Sequence, residues 1–343
     1  MVGLCIIFMA FMLAMFGYII APDNSPFADL QTVEIQAKRP GYTQQFLQIP
    51  NEKKFRKNAI QNFFTGTPSP FRFVPIIGYH ITGDSIYINK YVDEDTSVVQ
   101  VFSLLSVAGK SLDPHKFIRT KRYWFGTDAF GRDILSRLII GTRVSIAVGL
   151  IAVLISLTLG IFLGALAGYY RGRVDEVIMW FVNVTWSIPT LLLVFAFTMA
   201  LGKGFWQIFI AVGLTLWVSV ARLVRGQVLA IKELEYIQAA RALGFTDRRV
   251  ILRHILPNIL GPLMVVAAGN FATAIIVEAG LSFLGIGVQP PQPSWGLMIK
   301  ENYNFIITHN PMLALIPGIA IMLLVLAFNL VGNGLRDAVD VKN

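Results

Sequence analysis

Six stretches of this sequence, Val2–Ala21, Val144–Gly168, Val177–Leu201, Phe205–Ala221, Ile255–Val277 and Pro311–Val331, contain no Asp, Glu, Lys or Arg. A helix rises 1.5 Å per residue, so about 20 apolar residues cross a hydrocarbon core about 30 Å thick; each run meets that test, Phe205–Ala221 only marginally. A chain that is 55% hydrophobic and only 14% charged fits the same conclusion, since soluble domains carry roughly 25% charged residues. The expectation is an all-α membrane protein with six transmembrane helices. Its net charge of +9 would suggest a polyanion partner in a soluble protein, but in a membrane chain the placement of charge matters more than the sum.

Val2–Ala21 reads as a retained first span rather than a signal peptide, because a basic n-region is missing and the run exceeds the usual apolar core of about 7 to 15 residues. No Lys or Arg precedes it, which leaves room for a start further upstream. Residues 22–124 are polar and mixed in charge, with strand-like pieces at Ser85–Val92 and Ser97–Ser106 between Pro, Asn and Gly punctuation. They are expected to form a large extracytoplasmic insert of mixed structure between spans one and two. Within it Gly109-Lys110-Ser111 imitates the end of a phosphate-binding loop. The first glycine of that motif falls on Leu104, however, and Asp113-Pro114 stands where a helix should begin, so no nucleotide site is readable.

Phe125–Arg143 is expected as an amphipathic helix lying along the outer membrane surface. Thr127 or Asp128 would cap it, with Ile134, Leu135, Leu138 and Ile139 on one face and Arg132, Asp133 and Arg137 on the other. Catalysis by Asp128 and Asp133 has no base or nucleophile partner to support it.

The large polar feature among the spans is Glu235–Pro257. It reads as two short helices, Glu233–Leu243 and Asp247–Leu256, broken at Gly244, with Thr246 placed to cap the second. Ala239, Ala240 and Ala242 just before the break let a partner surface approach the backbone closely. The spacing of Ala240 and Gly244 also occurs in DNA-binding helix-turn-helix units, and Arg222–Pro257 holds seven Lys or Arg against three acids. Apolar runs on both sides tie the segment to a bilayer, which favours a docking knob for another subunit over nucleic-acid binding. The loops after spans two and four hold Arg171, Arg173 and those seven cations, whereas the loops after spans three and five hold only Lys203 and Lys300. The basic set belongs in the cytoplasm, so with six spans both termini lie inside and the insert outside.

Gly160, Gly164 and Gly168 repeat at a spacing that lets helices pack closely in lipid, and Pro189 predicts a kink in the third span. Lone Cys5 rules out an internal disulfide, and the four histidines show no metal-ligand spacing. Glu278, at the end of the fifth span, is read as structural or gate-stabilising ahead of a proton relay, because no ionisable partner is visible in the sequence. Gly280, Gly285 and Gly287, followed by Pro290, Pro291 and Pro293, break the helix and make a stiff loop that serves either as an outer gate or as a helix cap and turn. Trp295, Trp124 and Tyr123 are expected as interfacial anchors, although Ser282, Trp295, Asn302 and Tyr303 could also face a translocation path.

Gln238-Ala239-Ala240, three residues, Gly244, nine residues and His254-Ile255-Leu256-Pro257 resemble the EAA loop of ABC importer permeases; Gln238 replaces the usual Glu and His254 the usual Ile. Glu278–Gly296, Gly126-Thr127-Asp128 and Gly131–Arg137 are similar to the C-type permease of dipeptide and oligopeptide ABC transporters. The similarity covers the first span and everything from about Phe125 onward; the long insert is unmatched. The resemblance implies a heterodimer with a B-type permease, two cytoplasmic ATPase subunits that hold the ATP and Mg, and an extracytoplasmic peptide-binding protein. It implies no cofactor bound by this chain. It places the ATPase-docking surface on Tyr236, Gln238, Ala239, Ala240, Arg241, Leu243, Gly244 and Phe245, and an outer gate or structural element on Glu278, Ser282, Gly285, Gly287, Trp295 and Gly296. Thr127, Asp128, Gly131, Arg132, Asp133 and Arg137 fall in the outer interfacial helix.

The expected plan is a first span at 1–21, the insert at 22–124, the interfacial helix at 125–143, a permease core at 144–335 containing the EAA loop at 233–257, and a cytoplasmic tail at 336–343. The function expected is a non-catalytic subunit that moves peptides inward at the expense of ATP hydrolysed elsewhere. Importers of nickel, opines or other small solutes share the architecture. A stand-alone proton-coupled carrier would need paired intramembrane charges or repeated halves, and a membrane enzyme would need convergent catalytic groups; none is seen in the sequence.

Overall fold

The structure, a computed structural model, describes residues 1–51, 58–108, 117–202, 204–308 and 310–340. The Gly109-Lys110-Ser111 stretch, Lys203, His115 and His309 lie outside them. In chain order the first half runs α1 (Val2–Ile20), β1 (Tyr42–Pro50), α2 (Ala59–Thr65), β2 (Phe71–Thr82), β3 (Ser85–Tyr91), β4 (Ser97–Ser103), α3 (Leu104–Ala108) and β5 (Ile118–Tyr123). Then follow α4 (Ile134–Tyr170), α5 (Gly172–Ser187), α6 (Thr190–Leu201), α7 (Phe205–Lys232), α8 (Glu235–Ala242) and α9 (Asp247–Val250). The chain closes with α10 (Leu260–Phe283), α11 (Trp295–Asn302), α12 (Phe305–Thr308) and α13 (Met312–Asp340). It divides into two compact units, Met1–Phe11 with Val144–Gln289 and Ala320–Asn343, and Met12–Arg143 with Pro290–Ile319.

The first unit is helical. Five segments, α1, α4, α7, the rod Asp247–Phe283 and α13, are long and apolar enough to cross a membrane; α5 and α6 make a sixth if they count as one span. That pair bears out the kink expected at Pro189 and exceeds it. It bends by 99°, because the residue before a proline is driven out of the helical region: Ile188 and Pro189 are both extended, with ψ of 130° and 129°. The rod is also irregular at its start, where α9 passes through a π turn, Ile251–Ile255, and a 3-10 turn, Leu256–Ile259, into α10. Beyond the expected end of the core at 335, α13 continues as helix to Asp340.

The glycine stripe on α4 packs against α7 as its spacing predicted. A Cβ added at Gly160, Gly164 or Gly168 would stand 2.4 Å from Val220 Cβ, 2.5 Å from the Ala221 carbonyl or 2.8 Å from Val228 Cβ, so the two backbones meet where no side chain fits. Two cores flank this seam. One gathers Val148, Ala152, Val194, Phe209, Val212, Ala274 and Leu281; the other gathers Tyr169, Val224, Val228, Ile237, Val250, Ile255 and Ile259. The second core carries the polar loop between α7 and α10.

The second unit contains the insert, whose mixed structure is a five-stranded antiparallel sheet in the order β4-β3-β2-β1-β5. β2 and β3 form a hairpin closed by Gly83 and Asp84, and a bulge between Ile76 and Gly78 shifts its register. Leu47, Val74, Ile76, Ile86, Ile88, Leu104, Val107 and Phe117 fill its core. Tyr123 is buried with Ile35, Phe46 and Tyr91, so it is a core residue of this sheet rather than an interfacial anchor; Trp124 is exposed.

The expected interfacial helix over 125–143 does not exist as a separate element. Residues 125–133 are turns, with an isolated bridge between Thr127 and Asp133, and Ile134 begins the long α4. Neither Thr127 nor Asp128 caps it. Asp133 does so, accepting from the Ser136 backbone N–H at 2.9 Å and from the Ser136 hydroxyl.

Candidate functional site

The loop between α7 and α10 is a protruding knuckle held from beneath. On α8, Ile237 points into the second core and Ala240 is buried, while Tyr236, Gln238, Ala239, Arg241, Leu243 and Gly244 are exposed. Period 3.6 explains the split, since positions 237 and 240 share one side of the helix and most of the others lie away from it. The helix ends on Gly244 at φ +81°. The Phe245 N–H donates to the Ala240 carbonyl at 3.2 Å and the Gly244 N–H to the Arg241 carbonyl at 2.9 Å, the paired closure that a left-handed residue makes possible. A Cβ at Gly244 would meet nothing within 4 Å, so glycine is required there for its φ and not for space. Just before it, Leu243 is 76% exposed at the tip.

Polar contacts brace the knuckle. The Tyr169 hydroxyl donates to Asp247 Oδ1 at 2.6 Å, the Arg241 guanidinium lies 5.2 Å from the Tyr169 ring centre, and Lys232 Nζ donates to the Tyr169 carbonyl at 2.5 Å. Phe245 stacks on His254 at 5.8 Å between ring centres, and the Arg249 guanidinium lies 4.2 Å from the Phe245 ring centre. Thr246 has the extended backbone of a cap but its hydroxyl caps nothing, correcting the expectation for that residue. The first helix is shorter than expected, at Glu235–Ala242, whereas the second does not stop at Leu256 but runs on through its π and 3-10 turns into α10. Gln238, which stands where Glu is usual, donates Nε2 to the Glu233 carbonyl at 3.1 Å. Of the residues named for docking, Ala240 is a buried anchor and Phe245 is half-buried; the rest form the exposed ridge.

At the end of α10, Glu278 and Ser282 are fully buried. Ser282 Oγ donates to Glu278 Oε1 at 2.7 Å and accepts the Val288 N–H at 3.0 Å, so the carboxylate is tied through a hydroxyl to the backbone beyond the turn. The N–H groups of Gly285, Ile286 and Gly287 close onto the carbonyls of Ser282 and Leu281. A Cβ on Gly287 would stand 2.1 Å from Ser282 Oγ. Glu278, Ser282, Gly285 and Gly287 therefore belong to one built turn.

Trp295 and Gly296 open α11 and are buried, which corrects the anchor expected at Trp295. Its Nε1 donates to the Leu138 carbonyl at 3.0 Å. Ser294 caps this helix by accepting the Leu297 N–H. Asn302 is buried as well, accepting the Ala129 N–H at 3.2 Å, whereas Tyr303 is exposed.

The residues expected on the polar face of a surface helix form instead a buried ion cluster. Arg132 is 2% exposed and Arg137 not at all. Arg132 Nε meets Asp128 Oδ2 at 2.6 Å, Nη1 meets Asp29 Oδ1 at 3.2 Å and Nη2 meets Glu301 Oε2 at 2.5 Å; Arg137 Nη2 reaches the same Glu301 oxygen at 3.2 Å. Burial works against the Arg132 charge, but Asp128 and Glu301 outweigh it and raise the pKa of its guanidinium. Asp128 also accepts the Phe130 and Arg132 N–H groups through Oδ1, and Thr127 Oγ1 accepts the Lys38 N–H. Gly131, at φ +72°, lies so close to the Thr32 carbonyl that a Cβ would overlap it at 1.8 Å. Asp133 sits apart from the arginines, and burial pushes its carboxyl above the usual range. Asp29 and Glu301 were missed in the sequence, where nothing local marks them.

Residues 160–342 match the family described as the binding-protein-dependent transport system inner membrane component. The chain is 44% identical over 220 residues to a glutathione transport system permease protein of Pectobacterium atrosepticum, covering 64% of this chain and 73% of that one. It is 41% identical over 223 residues to an oligopeptide transport system permease protein of Bacillus subtilis, covering 65% and 73%. It is 36% identical over 264 residues to a dipeptide transport system permease protein of Bacillus subtilis, covering 74% and 82%. The MetNI methionine ABC transporter in an inward-facing conformation is 20% identical and shares the fold at a TM-score of 0.50, over 60% of this chain and 97% of that one.

Proposed function

The chain belongs to the binding-protein-dependent transport system inner membrane component family, and from that premise we propose that it is the permease subunit of an ABC importer for peptides, driven at the α8–α9 knuckle by a partner ATPase. Relatives named for glutathione, oligopeptides and dipeptides favour a peptide over nickel or an opine as the solute. ATP and Mg belong to two ATPase subunits, a B-type permease supplies the other half of the path, and a peptide-binding protein delivers the solute from outside. The concentration of Arg171, Arg173 and the cations of Arg222–Pro257 around the end of α4 and from the end of α7 to the start of α10 supports a cytoplasmic knuckle, with both termini inside and the insert outside.

The observation that carries the docking assignment is the exposed ridge with Leu243 at its tip, standing on anchors at Ile237, Ala240 and Tyr169 that are themselves in the core of the helical unit. A partner that grips the ridge pulls on α4, α7 and α9 through those anchors, because packed cores move as bodies and not as fluids. The grip drives transport only if it binds one permease state better than the other; a shift from 1:99 to 99:1 needs about 5.5 kcal/mol of differential affinity. The buried Glu278–Ser282 turn acts as a structural brace near the opposite end of α10, and the Arg132 cluster holds the segment that leads into α4.

The test is a graded series at Gly244. Asn adopts positive φ more readily than other non-glycine residues and Val hardly at all, while neither side chain meets another part of this chain at its Cβ. Gly244→Val should leave membrane insertion intact and reduce both ATPase co-purification and peptide uptake at least tenfold, with Gly244→Asn intermediate. Wild-type uptake by the Val variant would remove the knuckle as the coupling point.

A further inference from the structure

An apolar groove of about 510 Å³ runs along α4 beside the start of the Asp247–Phe283 rod, lined by Thr158, Ile161, Phe162, Ala165, Leu252 and Leu256, with Tyr170 and Arg248 at one end. We propose that it holds one anionic phospholipid of the cytoplasmic leaflet, the acyl chain along the groove and the phosphate on Arg248. This rests on the cytoplasmic placement of the knuckle proposed above.

Three features fit that occupant. First, from Thr158 to Tyr170 α4 rises about 18 Å, close to the roughly 15 Å depth of one leaflet's hydrocarbon. Tyr170 is the last residue of α4, the level at which aromatic side chains meet headgroups. Second, Arg248 is the basic residue that lines the groove, and several charges near it are already engaged. Arg171 pairs with Glu233 at 2.5 Å, Arg225 with Asp175 at 2.5 Å, Arg249 lies over Phe245, and Asp247 accepts the Tyr169 hydroxyl. Arg248 is exposed at the groove's end and has no ion-pair partner among the described residues. Third, Phe162 and Leu252 are more than half exposed on the groove walls, a surface that suits an alkyl chain. A basic side chain closing an apolar groove between spanning helices on the cytoplasmic side has the chemistry of a headgroup site.

The complete transporter is purified and reconstituted in nanodiscs with equal phosphatidylglycerol and phosphatidylcholine of the same acyl chains. Lipid retained after detergent washing is then counted by native mass spectrometry. The wild type should retain phosphatidylglycerol about fivefold over phosphatidylcholine. Arg248→Gln should bring that ratio near one with total lipid unchanged, and Thr158→Trp, which enters the groove from an exposed position on α4, should lower retention of both. Three results overturn the proposal: no retained lipid in the wild type, an unchanged ratio in Arg248→Gln, or dissociation of the partner permease in Thr158→Trp, which would make the groove a subunit interface. Thiol labelling of Arg173→Cys, an exposed position just beyond the end of α4, in a Cys5→Ala background reports the side of that end independently. An outward label with selective lipid retention fails the orientation and not the lipid site.

Discussion

Arg132 shows how a single side chain decides a local structure. Its three nitrogens meet three carboxylates, and removing one partner of such a buried set leaves uncompensated charge costing about 3–5 kcal/mol. Arg132→Met should therefore lower the unfolding midpoint of the purified protein strongly, and Arg132→Met with Asp128→Asn should recover part of the loss; equal loss in both would show that Asp128 is not the partner that matters. The sequence displayed Arg132, Asp133 and Arg137 opposite a row of apolar residues, and local periodicity reads that as a wetted face. What it cannot display is that Asp29 and Glu301 arrive from 103 and 169 residues away to neutralise the pair. By contrast Gly244 was legible, because the break, the small residues before it and the positive φ are all local properties.

Among the elements, the α4–α7 seam is where sequence spacing and packing agree most closely. Three glycines four residues apart mark one helical face, and that face is the one pressed on Val220, Ala221 and Val228. Gly164→Leu adds a side chain where even a Cβ would lie 2.5 Å from a backbone carbonyl, and overpacking of this kind costs about 1–3 kcal/mol or more. The variant should melt earlier in detergent than Gly226→Leu, since a Cβ at Gly226 on α7 meets nothing within 4 Å. Equal melting would place the seam elsewhere. The α5–α6 bend was half legible. Proline announces an interruption, but its angle depends on how Ile188 and Pro189 both settle into extended backbone, which no periodicity encodes. The π and 3-10 turns at the head of the α10 rod left no sequence signal that we can name beyond Pro257.

At the scale of the whole chain, the spans were readable from length and charge alone, and the sheet only in part. β3 alternates plainly and β4 is rich in Val, but β2 contains Pro75 and β5 carries Arg119, Lys121 and Arg122, so both resemble loop until the pairing partner is known. The sheet begins and ends at neighbouring points. Tyr42 is paired with Tyr123, and the Gly41 N–H donates to the Tyr123 carbonyl at 2.9 Å. Replacing residues 42–123 with a short Gly-Ser link should preserve membrane insertion and ATPase co-purification, even though it removes the Phe64 carbonyl from Arg143 and the Phe63 ring from Phe16. Loss of ATPase binding in that variant, measured by co-purification, would show that the insert supports the permease fold. A segment whose two ends are hydrogen-bonded neighbours can be acquired or shed in a single recombination event without changing the register of either flanking helix, so its ancestry need not be that of the chain that carries it.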